Sequence, residues 1–255
     1  MDNTLYVGLS NQLLLERELD IAANNLANVN TTGFKVEQLM ATPDPATPPT
    51  PPGGAPAMIL FVADNGVARD FSQGPLQQTD APLDMAIMGQ GFFQIQTANG
   101  TRYTRDGRFA KDNTGRLVTQ AGDPVLDASS SPISLNPQGG TPMIGGDGTI
   151  TQTVPGQANA QVVGRVGVVS FADLSQLSKE GDGYYSEASG QAAQPVTGQV
   201  IRQGMLEASN VQPIVQVTDL IRISRAYDMV ANMMNSTATL SDTAVQRLGS
   251  LMTTQ

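Results

Sequence analysis

Apolar positions recur at helical spacing at both ends of the chain and at strand spacing between them. Leu15, Leu19, Ala22, Leu26 and Val29 are separated by 4, 3, 4 and 3 residues, which places them on one face of a helix. Leu5 and Leu9 extend the stripe in a shifted phase, and Glu16, Arg17, Glu18 and Asp20 fall between its members. A helix of about 25 residues would be roughly 38 Å long. At the other end Val217, Leu220, Ser224, Tyr227, Ala231, Met234, Ala238, Ser241, Val245, Leu248 and Met252 alternate by 3 and 4, with only the serines breaking the seam. Ser209 or Asn210 is the expected N-cap, with Pro213 in the first turn. About 36 residues of helix would span roughly 54 Å, too long to bury against a small β domain alone. The two stripes are therefore expected to pair with each other and with helices of neighbouring subunits.

Between the ends, residues 58–62, 92–96 and 164–171 read as strands from their β-branched and aromatic content. Asp106-Gly107, Asp147-Gly148 and Asn113-Thr114-Gly115 supply turns. Pro43 to Pro56 predicts a polyproline-like linker or surface loop, either a spacer or a ligand for a proline-recognition module. The breakers sharpen this plan: 24 of 26 Gly and 15 of 16 Pro lie between Gly33 and Gly204. The fold class expected is α+β. Long terminal helices form a coiled-coil layer, and a central antiparallel all-β domain forms an irregular barrel or sandwich.

Composition removes much of the enzyme menu. The 255 residues include no Cys, His or Trp. That excludes disulfides, zinc sites of the usual ligands, the Ser-His-Asp triad and a Cys nucleophile. A net charge of −9 and a pI near 4.4 argue against nucleic acid as a partner. No segment is apolar enough for a transmembrane helix, and residues 1–5 lack the pattern of a cleaved secretory signal. Asp80 with Asp84, or Asp123 with Asp127, could act as the acid and base of a glycosidase, but each sits in a turn-rich stretch where Asp commonly serves the backbone. Gly89-Gln90-Gly91 lacks the third glycine of a dinucleotide site, and Met229, Met233 and Met234 read as packing residues. No cofactor or metal is expected.

The segment from Asn24 to Lys35 is harder to explain by stability. Gly33 could cap a helix C-terminus, but Asn24, Asn25 and Asn28 are poor helix choices. Amides at such positions can fix register through interchain hydrogen bonds.

This stretch, with Asn24, Asn25, Leu26, Ala27, Asn28, Gly33, Phe34 and Lys35, resembles the ANN-x-AN-x-x-T-x-GFK signature of the flagellar basal-body rod protein family. Gly89-Gln90-Gly91-Phe92-Phe93 is similar to that family's GxGFF strand entry. Tyr103-Thr104-Arg105-Asp106-Gly107-Arg108-Phe109 resembles its YTR-x-G-x-F hairpin. Leu206-Glu207-Ala208-Ser209-Asn210-Val211 resembles its LE-x-SNV entry, and Arg225-Ala226-Tyr227-Asp228 its final helix. Residues 1–10, the ERELDIAANN run and SNVQP are most like the proximal-rod branch, rather than the distal-rod or hook branches. Ala208 stands where glycine is common, and the proline-rich insert is a further departure.

The resemblance implies a structural subunit of a tubular drive shaft that transmits torque and surrounds the export channel. Its partners would be copies of itself, other rod subunits and the flagellar type III export apparatus, with no nucleic acid and no membrane insertion. It would be exported without a cleaved signal to a rod spanning the periplasm. The expected organisation is an N-terminal rod helix at 1–35, a linker and proline-rich arm at 36–80, a β domain at 81–205, and a C-terminal rod helix at 206–255 that packs with 1–35. Ser209, Asn210, Val211, Val217, Leu220, Arg225, Tyr227, Ala231, Met234, Val245 and Leu248 join the N-terminal positions as assembly residues. In the isolated subunit the ends are expected to be disordered. A distal-rod or hook-type subunit of the same family, a proline-rich coiled-coil adaptor and a β-rich glycosidase are the alternative readings.

Overall fold

The computed structural model describes residues 2–46, 59–156, 159–187, 189–196, 198 and 200–252. The chain divides into two compact units, one comprising Met1–Ala27, Glu37–Ala68 and Gln212–Gln255, the other Asn28–Val36 and Arg69–Val211.

The first unit holds helix α1 (Asp2–Ala27), strands β1 (Glu37–Ala46) and β2 (Ile59–Arg69), and helix α2 (Pro213–Met252). Strands β1 and β2 pair as a two-stranded ribbon. The loop expected from Pro43 is thus strand through Ala46, and the rest of the proline-rich segment, 47–56, lies outside the described residues. Helix α2 opens on Pro213 itself, so neither Ser209 nor Asn210 is its N-cap; proline is favoured at a first helical position because its missing N–H would have no intrahelical partner. Helix α1 stops at Ala27, which leaves Val29 beyond it.

The second unit is built of short antiparallel strands: β3 (Leu76–Gln78), β4 (Met85–Met88), β5 (Phe92–Thr97), β6 (Gly100–Thr104), β7 (Ala110–Lys111), β8 (Leu117–Val118), β9 (Met143–Ile144), β10 (Thr149–Gln152), β11 (Gln161–Arg165), β12 (Val168–Ser170), β13 (Leu177–Lys179), β14 (Tyr184–Glu187), β15 (Gln194–Pro195), β16 (Val200–Gln203) and β17 (Met205–Glu207). The largest sheet runs β13-β14-β6-β5-β12-β15, and β11-β10-β9 forms a second. Side chains alternate across β5: Phe93 and Ile95 enter one apolar cluster with Leu117, Val125 and Ile150, while Phe92 enters another with Val169, Phe171 and Tyr185. Both faces are covered, which is why Phe92-Phe93-Gln94-Ile95 is buried without a break.

The Asn113-Thr114-Gly115 turn joins the β7–β8 pair, and Asp147-Gly148 lies between β9 and β10, both as expected. Two expectations fail. Arg105-Asp106-Gly107 is not a hairpin, because β6 and β7 belong to different sheets; the β5–β6 hairpin turns at Ala98-Asn99 instead. Residues 164–171 are not one strand either. The chain changes sheet between β11 and β12, where Val166 and Gly167 bond to Gly148 and Leu126.

Candidate functional site

In the first unit α1 and α2 lie side by side and antiparallel. Gln12 donates to the Tyr227 hydroxyl at 2.7 Å, Asn25 donates to Gln216 at 3.1 Å, and the Gly8 Cα faces the Met234 side chain. Leu15, Ala22 and Ile223 are buried between the helices, flanked by Leu19, Leu220, Ala226, Tyr227 and Val230. The seam expected on α2 is therefore shifted. Leu220, Tyr227 and Met234 do face α1 or its flank, but Ile223 and Val230 take the places expected of Ser224 and Ala231, and Val217 is 43% exposed. On α1 the extension runs through Gly8 and Gln12, while Leu9 is 47% exposed. A helix with 3.6 residues per turn permits either phase, and packing selected the bulkier β-branched pair.

The sequence pattern could not show that a second apolar face exists. Tyr6, Leu9 and Leu13 of α1 are exposed, as are Ile214, Val215, Val217, Ile221, Met229, Met233 and Leu240 of α2. Arg225 is exposed between the two α2 groups. Val245 and Leu248 lie outside the described side chains.

Asn25 does not have the free amide that an interchain register bond requires. It is 2% exposed, donates to the Glu37 carbonyl at 2.7 Å and to Gln216, and accepts from the Glu37 N–H at 2.9 Å. Its amide thus pins the start of β1 beside both helices, spending three bonds inside one chain. A groove of about 230 Å³ opens beside it, lined by Glu18, Ile21, Val215, Asp219 and Arg222 among others. Asn28 accepts from the Thr31 hydroxyl at 3.1 Å. Asn24, Ala27 and Leu26 sit in the last turn of α1, with Asn24 and Ala27 exposed and Leu26 half-buried.

The second unit contains a feature that sequence reasoning passed over. Lys35, Arg105 and Glu207 are each buried. One Glu207 oxygen accepts from Lys35 Nζ at 2.5 Å and from the Gly74 N–H at 3.0 Å; the other accepts from Arg105 at 3.1 Å. Lys35 also donates to the Ser72 carbonyl at 2.7 Å, and Arg105 to the Gly89 carbonyl at 2.7 Å while lying 5.4 Å from the Phe92 ring centre. Burial pushes the Lys35 ammonium below its ordinary pKa, against the pull of Glu207, and burial likewise lowers that of Arg105. Two buried cations share one carboxylate. Three sequence motifs separated by up to 172 positions thus meet at a single carboxylate.

Gly33 and Asn210 complete this junction. Gly33 lies in the left-handed region (φ 70°) beyond the end of α1, so it is not the helix cap; its N–H donates to the Glu207 carbonyl at 2.7 Å. A Cβ there would stand 2.7–2.9 Å from the Arg105–Asp106 backbone. Asn210 accepts from the Val36 N–H at 2.8 Å and donates to the Asp70 carbonyl at 2.8 Å. Ser209 accepts from the Val211 N–H, and Phe34 and Val211 are buried, with Lys179 Nζ 4.3 Å from the Phe34 ring centre. The charged residues were legible only as members of the motifs: Lys in GFK, Arg in YTR, Glu in LE.

The aspartates considered for catalysis serve turns and local bonds. Asp84 accepts from Thr79, Asp127 from the Ser129 and Ser131 N–H groups, Asp80 from Gln78, and Asp123 from the Tyr184 hydroxyl. Among the described residues no three acidic side chains are grouped to hold a metal ion, and no helix is long and apolar enough to cross a membrane.

Comparison with known proteins places matches along most of the chain. Residues 5–35 match the family described as flagella basal body rod protein, 86–171 the flagellar hook protein FlgE/F/G D1 domain, and 202–247 the flagellar basal body rod FlgEFG protein C-terminal region. The chain is 53% identical to flagellar basal-body rod protein FlgF of Caulobacter vibrioides, over 98% of this chain and 100% of the relative. It is 37% identical to FlgF of Mesorhizobium japonicum, over 98% and 99%. Against flagellar basal-body rod protein FlgG of Bacillus subtilis the identity is 34%, over 98% and 99%.

Proposed function

Because the chain belongs to the flagellar basal-body rod protein family, as a structural subunit of the proximal rod and not an enzyme, we propose that it assembles through its terminal helices, as a coiled-coil layer, into a tubular drive shaft. The observation that carries this reading is the distribution of apolar side chains on α1 and α2. One face of each helix is used within the chain, and a second is left to solvent in the single subunit. Apolar surface of this extent marks an interaction site. Repeated head-to-tail contacts that do not close on themselves generate a helical tube. Such a tube surrounds the export channel and carries torque through side-chain packing, with no chemistry required of the subunit. The subunit reaches the rod through the flagellar type III apparatus, and the rod spans the periplasm.

The domains of this reading are an N-terminal rod helix at 1–35, a linker and proline-rich arm at 36–80, a β domain at 81–205 and a C-terminal rod helix at 206–255 that packs with 1–35. A cryo-electron density map of isolated basal bodies tests it. Paired helices facing the channel are expected; β strands lining the channel would overturn the assignment.

A further inference from the structure

The chain passes between the helical and β units four times, at Ala27–Asn28, Val36–Glu37, Ala68–Arg69 and Val211–Gln212. On the β side, three of these passages are tied to one another within two residues of the crossing. Val36 is the last residue of its segment. Its N–H donates to the Asn210 side chain at 2.8 Å, and its carbonyl accepts from the Asp70 N–H at 3.0 Å. Asp70, the second residue of the returning segment, offers its carbonyl to the Asn210 amide at 2.8 Å. Asn210, the last residue but one before the chain leaves again, also donates its own N–H to the Phe34 carbonyl at 3.4 Å. The remaining passage reaches the same place through turns: the Thr31 N–H donates to the Asn28 carbonyl at 3.1 Å, and the Phe34 N–H to the Thr31 carbonyl at 3.3 Å. Three residues further in along the last segment stands Glu207, bonded to Lys35, Arg105 and the Gly74 N–H.

We propose that this clasp is the joint through which force passes along the chain between the helical segments and the β unit, with Asn210 sharing that force among the passages. The proposal rests on the drive-shaft reading above for the source of the force. Any force that the covalent chain carries from one unit to the other has to cross these passages. Without cross-ties, the tautest passage would take it alone and peel its segment from the β unit one bond at a time. With Asn210 bonded to both Val36 and Asp70, a pull on Gln212 is resisted by two other segments at once. Glu207 then stops the peel, because its bonds to Lys35 and Arg105 are charge-assisted and roughly twice as strong as neutral ones. The site is also dry. Lys35, Glu207, Ser209 and Val211 are buried, so water is not at hand to replace a bond as it stretches.

Pulling single full-length chains in two directions tests the clasp, and the absence of Cys lets thiol handles be placed at chosen sites. One pair, Ile214→Cys with Asn99→Cys, carries force from the helical unit to the β unit; both positions are exposed. A second pair, Asn99→Cys with Ser129→Cys, loads the β unit alone, again from exposed positions. In the first direction Asn210→Ala should shorten the lifetime before first rupture at constant force by about tenfold, the factor that a net loss of one or two hydrogen bonds implies. In the second direction the same substitution should leave the lifetime unchanged. Asn210→Asp keeps an acceptor for Val36 and gives up the donor toward Asp70, so its lifetime in the first direction should fall between those of the native chain and Asn210→Ala. Equal shortening in both directions would make Asn210 an ordinary stabiliser of the β unit and overturn the proposal, as would no shortening in the first. If Asn210→Ala does not fold, Asn210→Asp decides by the same comparison. The density map judges the tubular reading separately: a failed pulling test with helices facing the channel removes the clasp alone, whereas strands lining the channel remove the shaft and leave the pulling result standing.

Discussion

The two units divide apolar surface in opposite ways. Among the described side chains, 25 of the 29 buried apolar residues belong to the β unit, and Leu15, Ile21, Ala22 and Ile223 to the helical one. Of the 14 large apolar residues exposed among the described side chains, 11 belong to the helical unit and three, Met88, Met143 and Val162, to the β unit. Charge follows the reverse order: the β unit buries Lys35, Arg105 and Glu207, whereas the charged side chains described on the helices are exposed or half-buried. The β unit is a finished fold, able to enclose an ion cluster because its core excludes water without help. The helical unit has one narrow seam and a surplus of apolar surface, so its folding free energy depends on what covers it.

The sharpest way to break this contrast is to strike each unit at its centre. Glu207→Ala leaves Lys35 and Arg105 buried without a carboxylate, which should destabilise the β unit by about 3–5 kcal/mol. Urea unfolding of the full chain, followed by tyrosine fluorescence, reads this as a lower midpoint. Replacing all three charges with apolar residues of similar volume should recover most of the loss, since the pair attraction offsets a desolvation cost that vanishes with the charges. A triple variant as weak as Glu207→Ala would mean that the cluster determines the fold and does not merely tolerate burial. In the helical unit Ile223→Ala should cost about 2 kcal/mol, the low end for a core truncation, because the seam can partly collapse. Far-ultraviolet circular dichroism should show helix lost at lower denaturant while the tyrosine transition of the β unit stays in place. Coincident transitions in this variant would deny the independence of the two units.

How much of this could be read from residue order differs between the units for a physical reason. Periodicity locates a helix and its apolar side because the 3.6-residue repeat is local, and α1 and α2 were both expected. It does not choose between adjacent phases, and Ile223 displaced Ser224 from the seam only once α1 was present to pack against it. Strands at β2, β5 and β12 and the glycine turns were local signals too. The sheet change between β11 and β12, and the meeting of Lys35, Arg105 and Glu207, were not. They depend on contacts between positions 172 and 102 residues apart that no window contains. Asn25 stood out as a poor helix residue, and within the chain its amide bonds to the backbone of Glu37 and the side chain of Gln216.

Asn25 therefore offers a subtler test. Asn25→Ala leaves the N–H and carbonyl of Glu37 without their side-chain partner, at a cost of about 1–3 kcal/mol confined to the helical unit. Amide hydrogen exchange at Glu37 should accelerate ahead of exchange in β5 and β6. Unchanged protection at Glu37 would mean that the clamp is redundant.

The smallest effect concerns the β unit at high pH. Tyr184 donates to Asp123 at 3.0 Å and shares a hydrogen bond with Thr119 at 2.7 Å. Burial first, and the neighbouring Asp123 carboxylate second, push its phenol up to about 12 from an ordinary 10.0. The folded state thus holds the phenolic proton more tightly than the unfolded chain does. The stability this contributes is fully present below about pH 10 and is lost as pH rises through about 12. Tyr184→Phe removes that dependence along with the two hydrogen bonds. The native chain should consequently be more stable than the variant near neutral pH, with the gap narrowing as alkali is added. Denaturation midpoints of both proteins across the alkaline range measure the gap directly. A gap that stays constant would show that Tyr184 ionises as an exposed tyrosine does, and that the seal over the β unit is looser than its buried charges require.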